Sequence, residues 1–241
     1  MPPKYIELQN CYVLHTRPYR DTSLLVDILS QAHGKLTLIA RGARKTSKST
    51  QNPRYLLQPF IPLSLSWQGK GVLKTLTTME AAAPSIPLVA NHLYSALYAN
   101  ELLVYLLQEG DPNEDIYYHY EKLLLLLSNT QYSIEAALRQ FEFALLAVLG
   151  YEIGFTHDAE TQLPVKGGES YYYVHEHGFV SVGSHPEVRG MSFSGEVLID
   201  ISINNYESPE TRRAAKKIAR VALKPYLRNR PLNSKELFLT H

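Results

Sequence analysis

Arg41, Arg44, Lys45 and Lys48 stand within a single run, Arg41-Gly-Ala-Arg-Lys-Thr-Ser-Lys-Ser-Thr50, that holds no apolar residue larger than Ala43. Such a run cannot pack into a core. Its chemistry is that of a polyanion contact, because Lys and Arg gain affinity by displacing the counterions condensed on phosphates. The surrounding stretch, residues 28–79, extends the pattern with Lys35, Arg54, Lys70 and Lys74 and contains no Asp or Glu. A solvated surface loop has the same composition, and both readings stand at this point.

A second cationic set lies near the C-terminus. Arg212, Lys216, Arg220 and Lys224 recur every four residues, with Arg213 and Lys217 beside them. The spacing places them on one helical face, with Ala214, Ile218 and Val221 expected on the core side. The face reads either as a second anion surface or as a solvated face favoured by the helix dipole. Arg139 is a lone cation beside the apolar Leu138 and Phe141, with Glu135 and Glu142 at helical spacing. It reads as a carboxylate ligand or as a locally paired side chain.

Other chemistry is weakly represented. His157, His175, His177 and His185 fall in one region, but only His175 and His177 have a defined relation, and zinc needs three or four convergent ligands. No paired carboxylates, nucleophile elbow or phosphate loop is present, and Gly69-Lys-Gly71 reads as a hairpin turn. The expectation is a protein without catalytic chemistry, cofactor or metal. Trp67 shares parity with Leu63 and Leu65 and is expected in the core, so Tyr12, Tyr19 and Tyr55 are the candidate base-stacking residues.

The net charge of +1 conceals an asymmetry. Residues 1–80 carry 11 Lys and Arg against 4 Asp and Glu, residues 81–160 carry 2 against 11, and residues 161–241 carry 11 against 8. A basic head beside an acidic middle bears on the choice of partner more than the total does. The single cysteine, Cys11, excludes an intrachain disulfide and a cysteine-based zinc site. No segment has signal-peptide or membrane-span character, so a cytoplasmic protein is expected.

The elements that must position these residues follow from periodicity. Residues 11–15, 23–29, 35–40, 57–67 and 72–78 read as five short strands, bounded by Gly and Pro, that close a small barrel of the OB type over residues 1–80. After the Ala/Pro-rich 81–87 the period becomes helical, with helices over 88–109, 116–127 and 134–150. Residues 151–190 read as an irregular insertion holding a hairpin, 171–174 with 179–182. A short helix over 194–203 and a longer one capped by Ser208 and Pro209 follow. The fold class is α+β and multidomain: a five-stranded OB barrel, then a helical domain over 81–241 with a small β-hairpin insertion.

Tyr12-Val-Leu-His-Thr-Arg-Pro-Tyr-Arg-Asp-Thr-Ser-Leu-Leu-Val-Asp27 and His33-Gly-Lys-Leu-Thr-Leu-Ile-Ala-Arg-Gly-Ala-Arg44 resemble the N-terminal signature of the bacterial recombination mediator family RecO. Gln58-Pro-Phe60, Lys74-Thr-Leu76, Tyr98-Ala-Asn-Glu-Leu-Leu103, Leu138-Arg-Gln-Phe-Glu142, Leu149-Gly-Tyr151 and Leu223-Lys-Pro-Tyr-Leu227 continue the resemblance over nearly the whole chain, in its gamma-proteobacterial form. The resemblance implies binding of single- and double-stranded DNA, annealing of complementary strands, and cooperation with RecR to displace single-strand-binding protein (SSB) so that the RecA recombinase loads. Nucleoid association and a monomer when alone are expected. Many members carry a four-cysteine zinc finger after the third helix, which this chain lacks. It further implies that the acidic SSB tail docks at Arg139, Leu138 and Phe141; where the family often has a second basic residue, this chain has Gln140. DNA is expected on Lys35, Arg41, Arg44, Lys45, Lys48, Arg54 and Lys74, and on Arg212, Lys216 and Arg220. The competing classes are an adaptor whose basic surfaces bind acidic tails, and a hydrolase built on His157, His175 and His177.

Overall fold

In the barrel, residues of one parity point inward: Val26 and Ile28, Leu36 and Leu38, Leu63, Leu65 and Trp67 all lie in one buried cluster with Cys11, Val13 and Leu76. A computed structural model describes residues 5–44, 53–184, 190–228 and 230–238. The strands are β1 (Tyr5–Tyr19), β2 (Ser23–Ser30), β3 (Gly34–Ala40), β4 (Leu63–Gln68) and β5 (Lys74–Ala81), with the short α1 (Pro53–Leu56) between β3 and β4. They close in the order β1-β2-β3-β5-β4. Pairing is antiparallel except between β3 and β5, where Leu38 faces Lys74 in parallel register. This is the five-stranded OB barrel expected from the sequence. Each large apolar side chain buried here contributes roughly 1.5–3 kcal/mol, which is why the alternating residues dictate the register.

Three local expectations are corrected. β1 runs through Pro18 to Tyr19 and begins at Tyr5, well before residue 11. The register against β4 shifts between Ile6 and Gln9, and Leu8 has φ 46°, so the alternation that marks a strand is broken there. Residues 57–62 are not strand: Phe60 has φ 68° and the chain turns before β4. Tyr12 does not stand at a turn edge; it is buried beneath a helix, as described next.

The helices that follow are α2 (Ala90–Leu106), α3 (Glu114–Ser128) and α4 (Ile134–Val148). The chain divides into two compact units, residues 1–130 with 232–241, and residues 131–231. This places α2 and α3 with the barrel, whereas the change of periodicity lies near residue 81. The reason is a buried polar clasp. The Asn100 amide of α2 donates to the Leu14 carbonyl of β1 at 2.9 Å, and the Tyr120 hydroxyl of α3 donates to Asn100 Oδ1 at 2.6 Å. Tyr12 donates to Glu121 at 2.9 Å and packs edge-on to Tyr120. Residues 233–238 form a 3-10 helix that belongs to the same unit, where the Glu101 carboxylate of α2 accepts the backbone N–H groups of Asn233 and Ser234 and the Ser234 hydroxyl, the last at 2.6 Å.

The second unit packs α4 with α5 (Gly195–Ser202), α6 (Pro209–Leu223) and a three-stranded sheet, β6 (Ser170–Val174), β7 (Gly178–Ser181) and β8 (Ser192–Ser194), in the order β7-β6-β8. The expected hairpin is β6–β7. Its core joins Phe155, Tyr171, Phe179 and Phe193 to Val197, Leu198, Ala214, Ala215 and Ile218 of the helices. Ser208 accepts from the Glu210 N–H at 3.1 Å with Pro209 at the first helical position, as the sequence indicates. Among the described residues no helix is long and apolar enough to cross a membrane.

Candidate nucleic-acid interface

In the barrel unit the turn after β3 carries Arg41 and Arg44, both exposed. Arg44 is fixed from both ends: its N–H donates to the Thr22 carbonyl at 2.8 Å and its guanidinium to the Arg20 carbonyl at 3.1 Å. These bonds tie the β3 exit to the β1–β2 turn and bring a further cation, Arg20, to the same edge. Arg20 lies 5.2 Å above the Tyr19 ring. The sequence reading missed Arg20; its position after a strand and before the polar Asp21-Thr22 was the available signal. Lys45 and Lys48 lie outside the described residues. Arg54 and Tyr55 on α1 are both exposed.

Two expected DNA ligands are placed otherwise. The Lys35 ammonium donates to the Val104 carbonyl at 2.8 Å, in the last turn of α2, where a cation favours the helix dipole. It joins barrel to helix and is half-buried. Lys74, half-buried at the start of β5, lies against its own hairpin, with its ammonium 3.5 Å from the Val72 carbonyl. Burial first, and then the charge of Lys74, holds the His33 imidazole below its ordinary range. Trp67 is buried, with His33 edge-on at 5.4 Å, so it is core as expected.

On the second unit, Arg213, Lys216, Lys217, Arg220 and Lys224 are exposed. At 3.6 residues per turn they fall within an arc of about 100° and along about 16 Å of helix. Among the described residues none of these five is ion-paired. The opposite face buries Thr211, Ala214, Ala215, Ile218, Ala219, Ala222 and Leu223. Val221, expected in the core, is exposed, because the buried stripe is built from the small Ala residues to either side of it. Arg212 leaves the cationic face: its guanidinium meets Glu135 at 3.1 Å and donates to the Tyr206 and Glu207 carbonyls at 2.8 and 2.6 Å.

Arg139 on α4 is only 5% exposed and pairs with Glu142 at 2.8 Å. Glu135, its other candidate partner, is engaged with Arg212. The Arg139 Nε and the Tyr206 hydroxyl are both buried without a hydrogen-bond partner. Burial, outweighing the nearby Arg139, pushes the Tyr206 hydroxyl up to about 12. Phe141 is buried and Leu138 half-buried.

The histidines do not converge. His157 contacts Thr156, His175 lies beside Glu176, and His185 is outside the described residues. Among the described residues no three His, Cys, Asp or Glu side chains are grouped to hold a metal ion. In the same region Asp158 is buried and accepts three backbone N–H groups, from Glu160 at 3.0 Å, Thr161 at 2.8 Å and Ser181 at 2.7 Å.

A five-stranded OB barrel with a cationic edge, joined to a helical unit that displays a basic helix face, defines an OB-fold protein of two units. The family model described as "Recombination protein O N terminal" matches residues 6–85, and "Recombination protein O C terminal" matches residues 90–236. The chain is 44% identical over 232 residues to "DNA repair protein RecO" of Haemophilus influenzae, covering 96% of this chain and 95% of that one. The proteins of the same name from Aliivibrio salmonicida (42% over 232 residues, 96% and 95% covered) and Cellvibrio japonicus (43% over 233 residues, 97% of each) are similar to the same extent. The chain belongs to the recombination protein O family, and its role lies in DNA repair and recombination.

Proposed function

We propose that this protein binds single- and double-stranded DNA through its phosphates, anneals complementary strands, and with RecR assists the loading of RecA on SSB-coated single strands. The observation that carries the reading is the α6 face, five exposed cations in one arc with no carboxylate paired to them among the described residues. The exposed Arg20, Arg41 and Arg44 give the barrel unit a cationic edge of its own. A protein that anneals must neutralise two strands and read neither, and phosphate contacts carry no sequence information. The reaction requires no catalytic group, and a nucleoid-associated cytoplasmic monomer fits it.

The SSB tail is proposed to dock at Leu138, Arg139 and Phe141. Because Arg139 is ion-paired and buried, a tail carboxylate would reach it either by displacing Glu142 or at the unpartnered Nε. Displacement leaves the 1% exposed Glu142 without its counter-charge, a cost that contact at the Arg139 Nε avoids.

The test is fluorescence anisotropy of a labelled oligonucleotide over a salt series, comparing the protein with Arg41→Glu/Arg44→Glu and with Lys216→Gln/Lys217→Gln/Arg220→Gln. Removing one phosphate-binding charge flattens the logarithmic salt slope by about 0.7–0.9. If both variants keep the original slope and affinity, the DNA-binding reading is wrong, and retention of acidic peptides would favour the adaptor.

A further inference from the structure

The cationic face of α6 ends beside an aromatic stack, and we infer that the two form a single-strand-specific subsite, in which one unpaired base continues the stack while the α6 cations hold neighbouring phosphates. The inference rests on the reading of α6 as a nucleic-acid surface and adds what kind of strand that surface selects.

Tyr151 and Tyr226 are stacked, with ring centroids 4.0 Å apart and an interplanar angle of 24°. Tyr226 follows Lys224 by two residues and precedes Arg228 by two, which bounds its Cα to within about 7 Å of each. All these residues belong to the second unit.

Both tyrosines are positioned by hydrogen bonds. Tyr151 is set by the end of α4, where Gly150 has φ +85°, its N–H donates to the Ala147 carbonyl, and the Tyr151 N–H donates to the Leu146 carbonyl at 2.8 Å. This pair of bonds is the Schellman arrangement, and it fixes the direction in which the chain, and with it Tyr151, leaves the helix. Tyr226 is held by its hydroxyl, which donates to Glu176 Oε1 at 3.1 Å, and the His175 ring lies 5.7 Å from it. Tyr226 is half-buried, whereas Tyr151 remains 40% exposed. One face of Tyr151 is covered by Tyr226, and the base is assigned to its other face.

The charges around the stack narrow the ligand. Glu176 accepts the Tyr226 hydroxyl and Glu152 follows Tyr151 in sequence, which disfavours a phosphate there and favours a flat uncharged group. The cations that would hold phosphate lie to the α6 side, at Lys224, Arg220 and Lys217. A nucleobase with its phosphates divided between these surroundings satisfies both. Stacking on an aromatic ring tolerates any base, because every base presents a π-face. Inside a duplex each base face is already covered by its stacked neighbours, so away from the ends the subsite favours single strands.

The experiment measures binding of a short oligothymidylate, a duplex of equal length, and an oligomer of the same length built from abasic residues. The full-length protein is compared with Tyr151→Ala, Tyr151→Trp and the Lys216→Gln/Lys217→Gln/Arg220→Gln variant. The expected result is an affinity loss of about five- to a hundredfold for oligothymidylate with Tyr151→Ala, little change for the duplex or the abasic oligomer, and recovery with Tyr151→Trp. Unchanged oligothymidylate binding by Tyr151→Ala overturns the inference, as does an equal loss on all three probes, which would mean the tyrosine only supports the fold. If instead the α6 variant binds every probe as tightly as the unmodified protein, the reading of α6 as a DNA surface fails, and the inference falls with it.

Discussion

Asp158 and Ser181 are 23 residues apart in sequence, yet the Asp158 Oδ2 accepts the Ser181 N–H at 2.7 Å. The other carboxylate oxygen accepts two N–H groups of its own turn. One buried anion therefore fastens the 156–164 loop to β7, in the region where zinc-bearing relatives are expected to use four cysteines. Asp158→Asn turns one acceptor into a donor facing an N–H. We expect a stability loss of about 1.5–3 kcal/mol, earlier proteolysis between residues 151 and 190, and an unaltered barrel. Limited proteolysis with mass spectrometry reads this directly. Incubation of the unmodified protein with a chelator is expected to leave its melting temperature unchanged.

Acid should weaken both units through two carboxyls. Burial alone would raise Asp27, but hydrogen bonds from His15 and Thr37 and the charge of Arg17, whose guanidinium lies at 2.6 Å, hold it below the ordinary carboxylate value. Asp158 is lowered in the same sense, with the Thr161, Ser181 and Glu160 N–H groups outweighing burial. A depressed native pKa means that the stabilisation is complete above the unfolded value of about 3.9 and is lost as pH falls through the native value. The urea midpoint should therefore decline below about pH 4, and Asp27→Asn should shallow that decline.

Lys35 and the Arg41/Arg44 pair should separate cleanly. Lys35→Ala removes the cap on Val104 and is expected to cost about 1 kcal/mol, with the DNA salt slope unchanged. Arg41→Glu/Arg44→Glu should flatten the salt slope, with only the exposed Arg44–Arg20 hydrogen bond lost from the fold. Thermal melts and salt titrations on the same preparations decide it.

Glu142→Gln strips the buried Arg139 of its counter-charge and should destabilise by roughly 3–5 kcal/mol, whereas Arg139→Met/Glu142→Leu should cost far less. Chemical denaturation measures both. A smaller loss for the single than for the double substitution would show that Arg139 finds another partner.

Gly34 sits at φ +65°, and a Cβ there would run into the Asp111 carbonyl. Gly34→Ala combines an unfavourable left-handed backbone, about 1–2 kcal/mol, with a backbone clash. We expect a sharp fall in the yield of folded protein, read by circular dichroism of the soluble fraction.

What the sequence disclosed was what local pattern controls. The alternation through Leu63, Leu65 and Trp67 located β4, and Ser208-Pro209 marked the start of α6. What it withheld depends on distant partners. Tyr12 near a turn gives no sign of Glu121, 109 positions away. Lys35 and Arg212 have the composition of ligand-binding residues, and only the folded chain shows the Val104, Tyr206 and Glu207 carbonyls that occupy them. The bulge between Ile6 and Gln9 erased the parity that would have extended β1 to Tyr5. The α6 face was legible because its cations are local; the Tyr151–Tyr226 stack was not, because it joins two helix ends 75 positions apart.

The bond between Glu101 and Ser234 spans 133 positions, and the second unit is wholly contained in that interval. On the ribosome, at roughly 5–20 residues per second, about 7–27 seconds separates the making of the Glu101 acceptor from the arrival of its donors. The barrel unit, begun before the second unit, is thus completed after it. Until residues 233–238 emerge, the Glu101 carboxylate of α2 lacks these donors, and the barrel unit matures only after the second unit has been made.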